Sequence, residues 1–198
     1  MCLFIETICY EHGQLQLIDL HNSRCNQTRS HFFGAVSDLH LESFITVPVN
    51  LMDKTVKCRV AYGKAVVNIE FEPYRIKPIR SLQLIFDDTI DYAFKFANRS
   101  KLNQLYQLRG QADDILIIKD GFITDTTYAN IIFRKDGIWY SPQNPLLKGV
   151  RLESYIRENK VTPALLCPND LSHFSEARII NAMISIENSP VIPIENII

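Results

Sequence analysis

The sequence predicts an α+β fold. Three observations carry that reading: short apolar runs broken by glycine-containing turns, few stretches of helical character, and a link over Asp87–Arg99 between two halves. Leu3–Tyr10, then Glu11-His12-Gly13, then Leu15, Leu17 and Ile18 read as a β-hairpin. Asp19 stands where it would cap a helix reaching about Gly34, with Phe32 and Phe33 on the buried face. Asp38–Asp53 is ambiguous, because Pro48 limits any helix there. Lys57–Tyr62 and Ala65–Phe71 form a second hairpin around Gly63-Lys64, and Arg80–Phe86 is a further strand. Lys101–Leu108 reads as a helix stopped at Arg109-Gly110. Asp114–Lys119 is a buried strand ending at Asp120-Gly121. Ile131–Arg134 and Ile138–Tyr140 flank the turn Lys135-Asp136-Gly137. A helix from about Val150 to Asn159 and strands at Val161–Leu166, Arg178–Ser185 and Val191–Ile194 complete the expectation.

Composition excludes several function classes. Lys plus Arg is 21 and Asp plus Glu is 22, so the net charge of −1 lacks the basic excess of a nucleic-acid protein. With 46% hydrophobic residues the chain is not an acidic disordered segment. No apolar run approaches the roughly 20 residues that span a bilayer, and the N-terminus lacks the basic region of a secretory signal. The expectation is a cytoplasmic protein with no nucleic-acid or membrane partner. The five cysteines, Cys2, Cys9, Cys25, Cys58 and Cys167, form no CxxC pair and read as reduced thiols. The five histidines show no metal-ligand spacing, so no metal is expected, and His21 reads as a packing or orienting residue. Seven glycines form neither GxGxxG nor a P-loop.

Two residues stand out chemically. Lys95 lies in DYAFKFANR between apolar neighbours. Such a lysine often lays its stem on apolar surface and reaches water with its ammonium. The alternative is an amine held in a poorly solvated pocket, ready to form a Schiff base. Asp125 precedes the apolar Ile131-Ile132-Phe133 within a polar stretch. It reads either as a turn residue feeding a strand or as a carboxylate at the base of a pocket.

Taken together, these segments resemble the class IV pyridoxal-phosphate-dependent aminotransferase family. Lys95-Phe96-Ala97-Asn98-Arg99 is similar to the family's Lys-x-x-Asn segment. Asp120-Gly121, Ile123-Thr124-Asp125 and Asn130-Ile131-Ile132-Phe133 follow its D-G-x-x-T-E and S-N-[IL]-F pattern. Ser141-Pro142 and Leu147-Lys148-Gly149-Val150 resemble its T-P and L-x-G-[IV] segments. Ile5-Glu6-Thr7-Ile8 and His21-Asn22-Ser23-Arg24 resemble its F-E-T-[IL] strand and H-x-x-R helix start. The resemblance covers nearly the whole chain and rests on the order of the motifs. It implies a two-lobe D-amino-acid aminotransferase-like fold (fold type IV). Residues 1–88 would form a small N-terminal lobe, and 89–198 a larger C-terminal lobe with a barrel-like sheet and the cofactor lysine.

The resemblance also implies roles. Lys95 would bind pyridoxal 5'-phosphate as a Schiff base and shuttle protons at the substrate carbon. Asp125 would pair with the pyridine nitrogen, where the family carries Glu. Arg24 would hold the phosphate with backbone N–H groups at Gly149 and Val150. Asn130, Asn181 and Ala182 would complete the cofactor site. Arg151 comes one residue earlier than the family's arginine, and the chain begins close to the Glu6-Thr7 strand, without the hairpin that precedes it in relatives. Asn181-Ala182-Met183, Thr7 and Asn98-Arg99 are similar to aminodeoxychorismate lyase, a member acting in folate biosynthesis, with Thr7 as a catalytic proton donor or positioner. Asn181 read by itself is equally a strand-end residue satisfying backbone groups. The other readings are an amino-acid aminotransferase, of D-amino-acid or branched-chain type, and a cofactor-binding homologue without catalysis. A small-molecule substrate and a homodimer follow from the resemblance.

Overall fold

The computed structural model describes residues 3–198, and its contacts divide the chain into two units. The first comprises Met1–Ile76 with Phe94–Asn98; the second comprises Lys77–Ala93 with Arg99–Ile198. The expected division after residue 88 differs from this. Residues 77–88 belong with the second unit, and the lysine segment 94–98 belongs with the first.

The first unit is a four-stranded antiparallel sheet carrying one long helix. β1 (Phe4–Glu11) turns through His12-Gly13 into the two-residue β2 (Gln14–Leu15). Both turn residues have positive φ, 52° and 79°, the backbone twist that joins adjacent antiparallel strands. α1 (Ile18–Phe33) follows, then β3 (Val56–Tyr62) and β4 (Val66–Pro73), in the sheet order β2-β1-β3-β4. The segment between α1 and β3 holds two short 3-10 turns, Leu41–Ser43 and Val49–Leu51. Alternation sets the core. Phe4 and Ile8 on β1 face Tyr62 and Cys58 on β3, and these bury one sheet face with Val56, Val60, Cys25 and Leu41.

Two details of α1 differ from expectation. Asp19 lies in the first turn and does not cap; the N-cap is Leu17, in the left-handed region, with no side-chain hydrogen bond. Asp19 can still favour the helix electrostatically, because the N-terminal end of the backbone dipole is positive. Phe32 is 38% exposed, and the helix buries His21, Cys25, Thr28 and Arg29 instead. The inward stripe is polar because those groups find partners there. Arg29 donates to the Lys64 carbonyl (2.7 and 3.1 Å), the Ser37 carbonyl and Asn26 Oδ1 (each 2.8 Å).

The second unit contains two sheets. β5 (Leu82–Phe86) pairs in parallel with β6 (Asp114–Lys119), whose other edge carries the short β7 (Phe122–Ile123). α2 (Ser100–Tyr106) lies between β5 and β6 in the chain, as a parallel connection requires. Ile115, Leu116, Ile117 and Ile118 have no exposure, which explains the unbroken apolar run of β6. The second sheet has the order β10-β9-β8-β11, with β8 (Asn130–Lys135), β9 (Ile138–Pro142), β10 (Val161–Ala164) and β11 (Glu176–Ile180). α3 (Val150–Arg157) links β9 to β10, which pair in parallel.

The two sheets do not close into a barrel among the described residues, so the expected barrel-like sheet is corrected to two open sheets. The strand expected over Arg178–Ser185 ends at Ile180; the chain then turns, with Ile184 N donating to the Asn181 carbonyl and Asn181 N to the Ile184 carbonyl. Val191–Ile194 forms no strand and contributes one bridge, Ala177 to Ile192. Pro190 and Pro193 supply no N–H for a ladder at this edge. Cys9, Cys25, Cys58 and Cys167 form no disulfide among the described residues, and Cys2 lies outside them. No helix among the described residues is long and apolar enough to cross a membrane.

Candidate active site

In the first unit the chemistry gathers around β1. Lys95, half-buried, belongs to a segment laid along the β1 edge opposite β3. Ile5 N donates to the Lys95 carbonyl (2.9 Å), Ala97 N donates to the Leu3 carbonyl (2.8 Å), and Phe96 bridges to Phe4. Phe94 and Phe96 on either side of Lys95 pack into a ring cluster with Phe4 and Phe32. The apolar neighbours noted in the sequence therefore fasten the segment, while Lys95 is fixed through its backbone. Thr7 lies two residues beyond Ile5. Its pairing partner is Arg59, on the sheet face opposite the one packed by α1.

Glu6 and His21 are completely buried. Arg24 grips Glu6 with two parallel hydrogen bonds, Nε to Oε1 (2.8 Å) and Nη2 to Oε2 (2.6 Å). His21 Nδ1 lies 2.5 Å from Glu6 Oε2. Burial by itself would raise the Glu6 carboxyl. The Arg24 charge, with hydrogen bonds from Arg24 and His21, outweighs burial and holds it at about 2, down from 4.5. Burial pushes the imidazole the other way from Glu6, lowering its basicity, and the charges of Arg24 and Lys95 add to that. His21 is thus neutral, with Nδ1–H donating to the carboxylate, and its Nε2 has no hydrogen-bond partner. His21 is the packing and orienting residue the sequence suggested, while the buried charge of Glu6 is the part of this unit that sequence reasoning missed. The available signal was a carboxylate in the middle of the apolar strand FIETIC.

In the second unit Asp125 and Asn130 close a six-residue turn ahead of β8, and both are buried. Thr126 pins the turn: its N–H and hydroxyl reach the Ala129 carbonyl at 3.0 and 3.1 Å. Asp125 Oδ1 accepts from Asn130 Nδ2 (2.7 Å), and Oδ2 accepts from Leu147 N (2.9 Å). Asn130 also donates to the Leu147 carbonyl (2.8 Å) and accepts from Gly149 N (3.1 Å). Thr127 donates to the buried Asp114 at 2.7 Å, and its carbonyl accepts from the Arg99 guanidinium. Burial raises the Asp114 carboxyl, against the hydrogen bonds from Thr127 and Ile115.

Gly149 is the N-cap of α3, and the first bond along the helix runs from Glu153 N to its carbonyl (2.9 Å). The N–H groups of Val150, Arg151 and Leu152 therefore lack partners within the helix. Arg151 turns its side chain to the segment after β11, donating to the carbonyls of Asn181 (3.4 Å) and Ala182 (2.9 Å). Asn181 holds its own turn, with Oδ1 accepting from Met183 N (2.8 Å) and Ile184 N (3.1 Å). The displaced arginine of the sequence thus serves as a strut between the α3 start and the 181–182 turn.

These residues fit pyridoxal phosphate. Asp125 is a buried carboxylate whose oxygens already accept N–H donors, and each oxygen can accept more than one. The α3 start offers backbone N–H groups and a positive dipole end to a phosphate. The approach there is close: a Cβ on Gly149 would stand 2.3 Å from Asn130 Oδ1.

A family model described as amino-transferase class IV matches residues 4–197. A Haemophilus influenzae protein described as uncharacterized is 37% identical over 180 residues, covering 90% of this chain and 96% of that one. A crystal structure from Haemophilus somnus 129PT, described as a "putative 4-amino-4-deoxychorismate lyase", superposes with a TM-score of 0.87 at 31% identity, covering 92% of this chain and 97% of that chain. A "putative amino-acid aminotransferase" from Mesorhizobium loti superposes with a TM-score of 0.75 at 20% identity and 98% of each chain, a likeness of fold.

Proposed function

The chain belongs to the amino-transferase class IV family, and from that premise we propose that it is a pyridoxal-phosphate-dependent 4-amino-4-deoxychorismate lyase, releasing pyruvate and forming 4-aminobenzoate. The observation that carries the reading is the fastening of the lysine segment to β1: Ile5, whose N–H holds the Lys95 carbonyl, stands two residues from Thr7. The relative from Haemophilus somnus supports it through similarity over nearly the full length of both chains.

When bound, pyridoxal phosphate supplies an electron sink for the pair released as a bond to the substrate carbon breaks. Lys95 would anchor the cofactor, and its Nζ would serve as the base for the proton on the carbon bearing the substrate amine. Thr7 Oγ1 hands a proton to the departing enolpyruvyl group, which leaves as pyruvate while the ring becomes aromatic. Asp125 would hold the pyridine nitrogen and favour its protonated form. The α3 N–H groups would bind the phosphate, and Glu6 orients the Arg24 guanidinium within the first unit. A homodimer acting on a small cytoplasmic substrate belongs to the same proposal.

The test is visible absorbance followed by product release. Purified protein mixed with pyridoxal phosphate develops a band that Lys95→Ala lacks. Aminodeoxychorismate then yields pyruvate, and Thr7→Val slows its release about 10- to 100-fold. Rapid conversion of the band by D- or L-alanine or L-glutamate, without pyruvate from aminodeoxychorismate, would make the chain an aminotransferase. No band at all would remove Lys95 as the cofactor lysine.

A further inference from the structure

Asn130 is 5% exposed, and its carboxamide is almost saturated. Such a group has two N–H donors and one acceptor oxygen. One donor goes to Asp125 Oδ1 (2.7 Å), the other to the Leu147 carbonyl (2.8 Å), and the oxygen accepts from Gly149 N (3.1 Å). Leu147 N returns to Asp125 Oδ2 (2.9 Å), so the carboxylate, the carboxamide and the Leu147 peptide close a hydrogen-bonded circuit. We propose that Asn130 is a positioning residue: it fixes Asp125 against the start of α3 and does not itself bind the cofactor. This rests on the pyridoxal phosphate reading and sharpens it, because Asn130 leaves the set of cofactor ligands.

The circuit suits an aspartate. Its carboxylate reaches less far than a glutamate's and must stand at one angle to meet a ring nitrogen. Asn130 and Leu147 hold both oxygens, which fixes that angle, and two N–H donors stabilise the negative charge. The same carboxamide governs the α3 start through Gly149. No side chain fits there, since a Cβ would meet Asn130 Oδ1 at 2.3 Å. The two ends of a bound cofactor, ring nitrogen and phosphate, are thereby set by one side chain.

Wild type, Asn130→Ser and Gly149→Ala are each titrated with pyridoxal phosphate at fixed pH. The readouts are the position of the visible band, the cofactor Kd and the melting temperature of the cofactor-free protein. Both variants are expected to move the band in the same direction, toward an unprotonated ring nitrogen, and to raise Kd about tenfold. Gly149→Ala retains both polar side chains and presses on Asn130 Oδ1, so its band position, which reports the Asp125 end rather than the phosphate end, decides the matter if Asn130→Ser fails to fold. A lower melting temperature with band and Kd unchanged would make Asn130 merely structural and overturn the proposal. A wild type that forms no band overturns the cofactor reading, and this inference with it, before any variant is compared.

Discussion

At the scale of single residues, the buried Glu6–His21–Arg24 cluster governs the response to acid. Glu6 is held at about 2, against 4.5 for an unperturbed carboxyl, so between those values only the unfolded chain takes up its proton. Its stabilisation is complete above 4.5 and is lost as pH falls toward 2, an effect of about 3 kcal/mol. His21 acts in the same direction. Its imidazole is lowered from 6.5, so the unfolded state binds its proton first as pH falls below that value. The expected outcome is a urea midpoint that declines below pH 6.5 and declines faster below 4.5. His21→Gln should flatten the first part of the decline, and a wild-type midpoint level across both ranges would contradict the neutral imidazole. Glu6→Gln leaves the Arg24 charge without its partner and should cost about 3–5 kcal/mol, read from the same denaturation curves. Of these residues, Glu6 advertised itself as a charge inside an apolar strand. Asn130 did not: its partners Leu147 and Gly149 follow a whole hairpin later, and sequence pattern does not report such pairings.

At the scale of elements, turn chemistry was the most legible signal. His12-Gly13, Asp120-Gly121 and Asp136-Gly137 all have positive φ at both positions and all end strands where the sequence indicated. The reason is local: glycine adopts this backbone without steric cost, and aspartate tolerates it. Gly137, at φ 80° with open space around it, should therefore lose about 1 kcal/mol as Gly137→Ala, from backbone strain alone. An unchanged urea midpoint would show that the β8–β9 hairpin tolerates the strain. Helix α1 was less legible in its orientation. An apolar stripe predicts a buried face, but α1 turns inward His21, Thr28 and Arg29, whose stability depends on partners distant in sequence such as Glu6 and Lys64. The last strands misled for a related reason. Met183, Ile184 and Ile192 are buried by turns and one bridge, and hydrophobicity does not separate these from a ladder.

At the scale of the whole molecule, the α+β class followed from counting hairpins, while strand order did not, because β1 with β3 and β8 with β11 pair across more than forty residues. The lysine segment adds a further long-range link. Phe94–Asn98 completes the edge of the first sheet, although the residues on both sides of it belong to the second unit. A fragment ending at Ile76 leaves the Ile5 N–H and the Leu3 carbonyl without their partners. It should melt at a lower temperature than the same fragment mixed with a peptide spanning residues 92–100, and no rise on adding peptide would show that the segment contributes nothing to the fold of its sheet. The two units are thus not separable modules. A gene fusion that exchanged one unit for that of a relative at a single junction would carry Lys95 over with the unit it does not pack in. Recombination among such chains has to move two stretches together, which ties the inheritance of the lysine to that of the β1 strand it rests on.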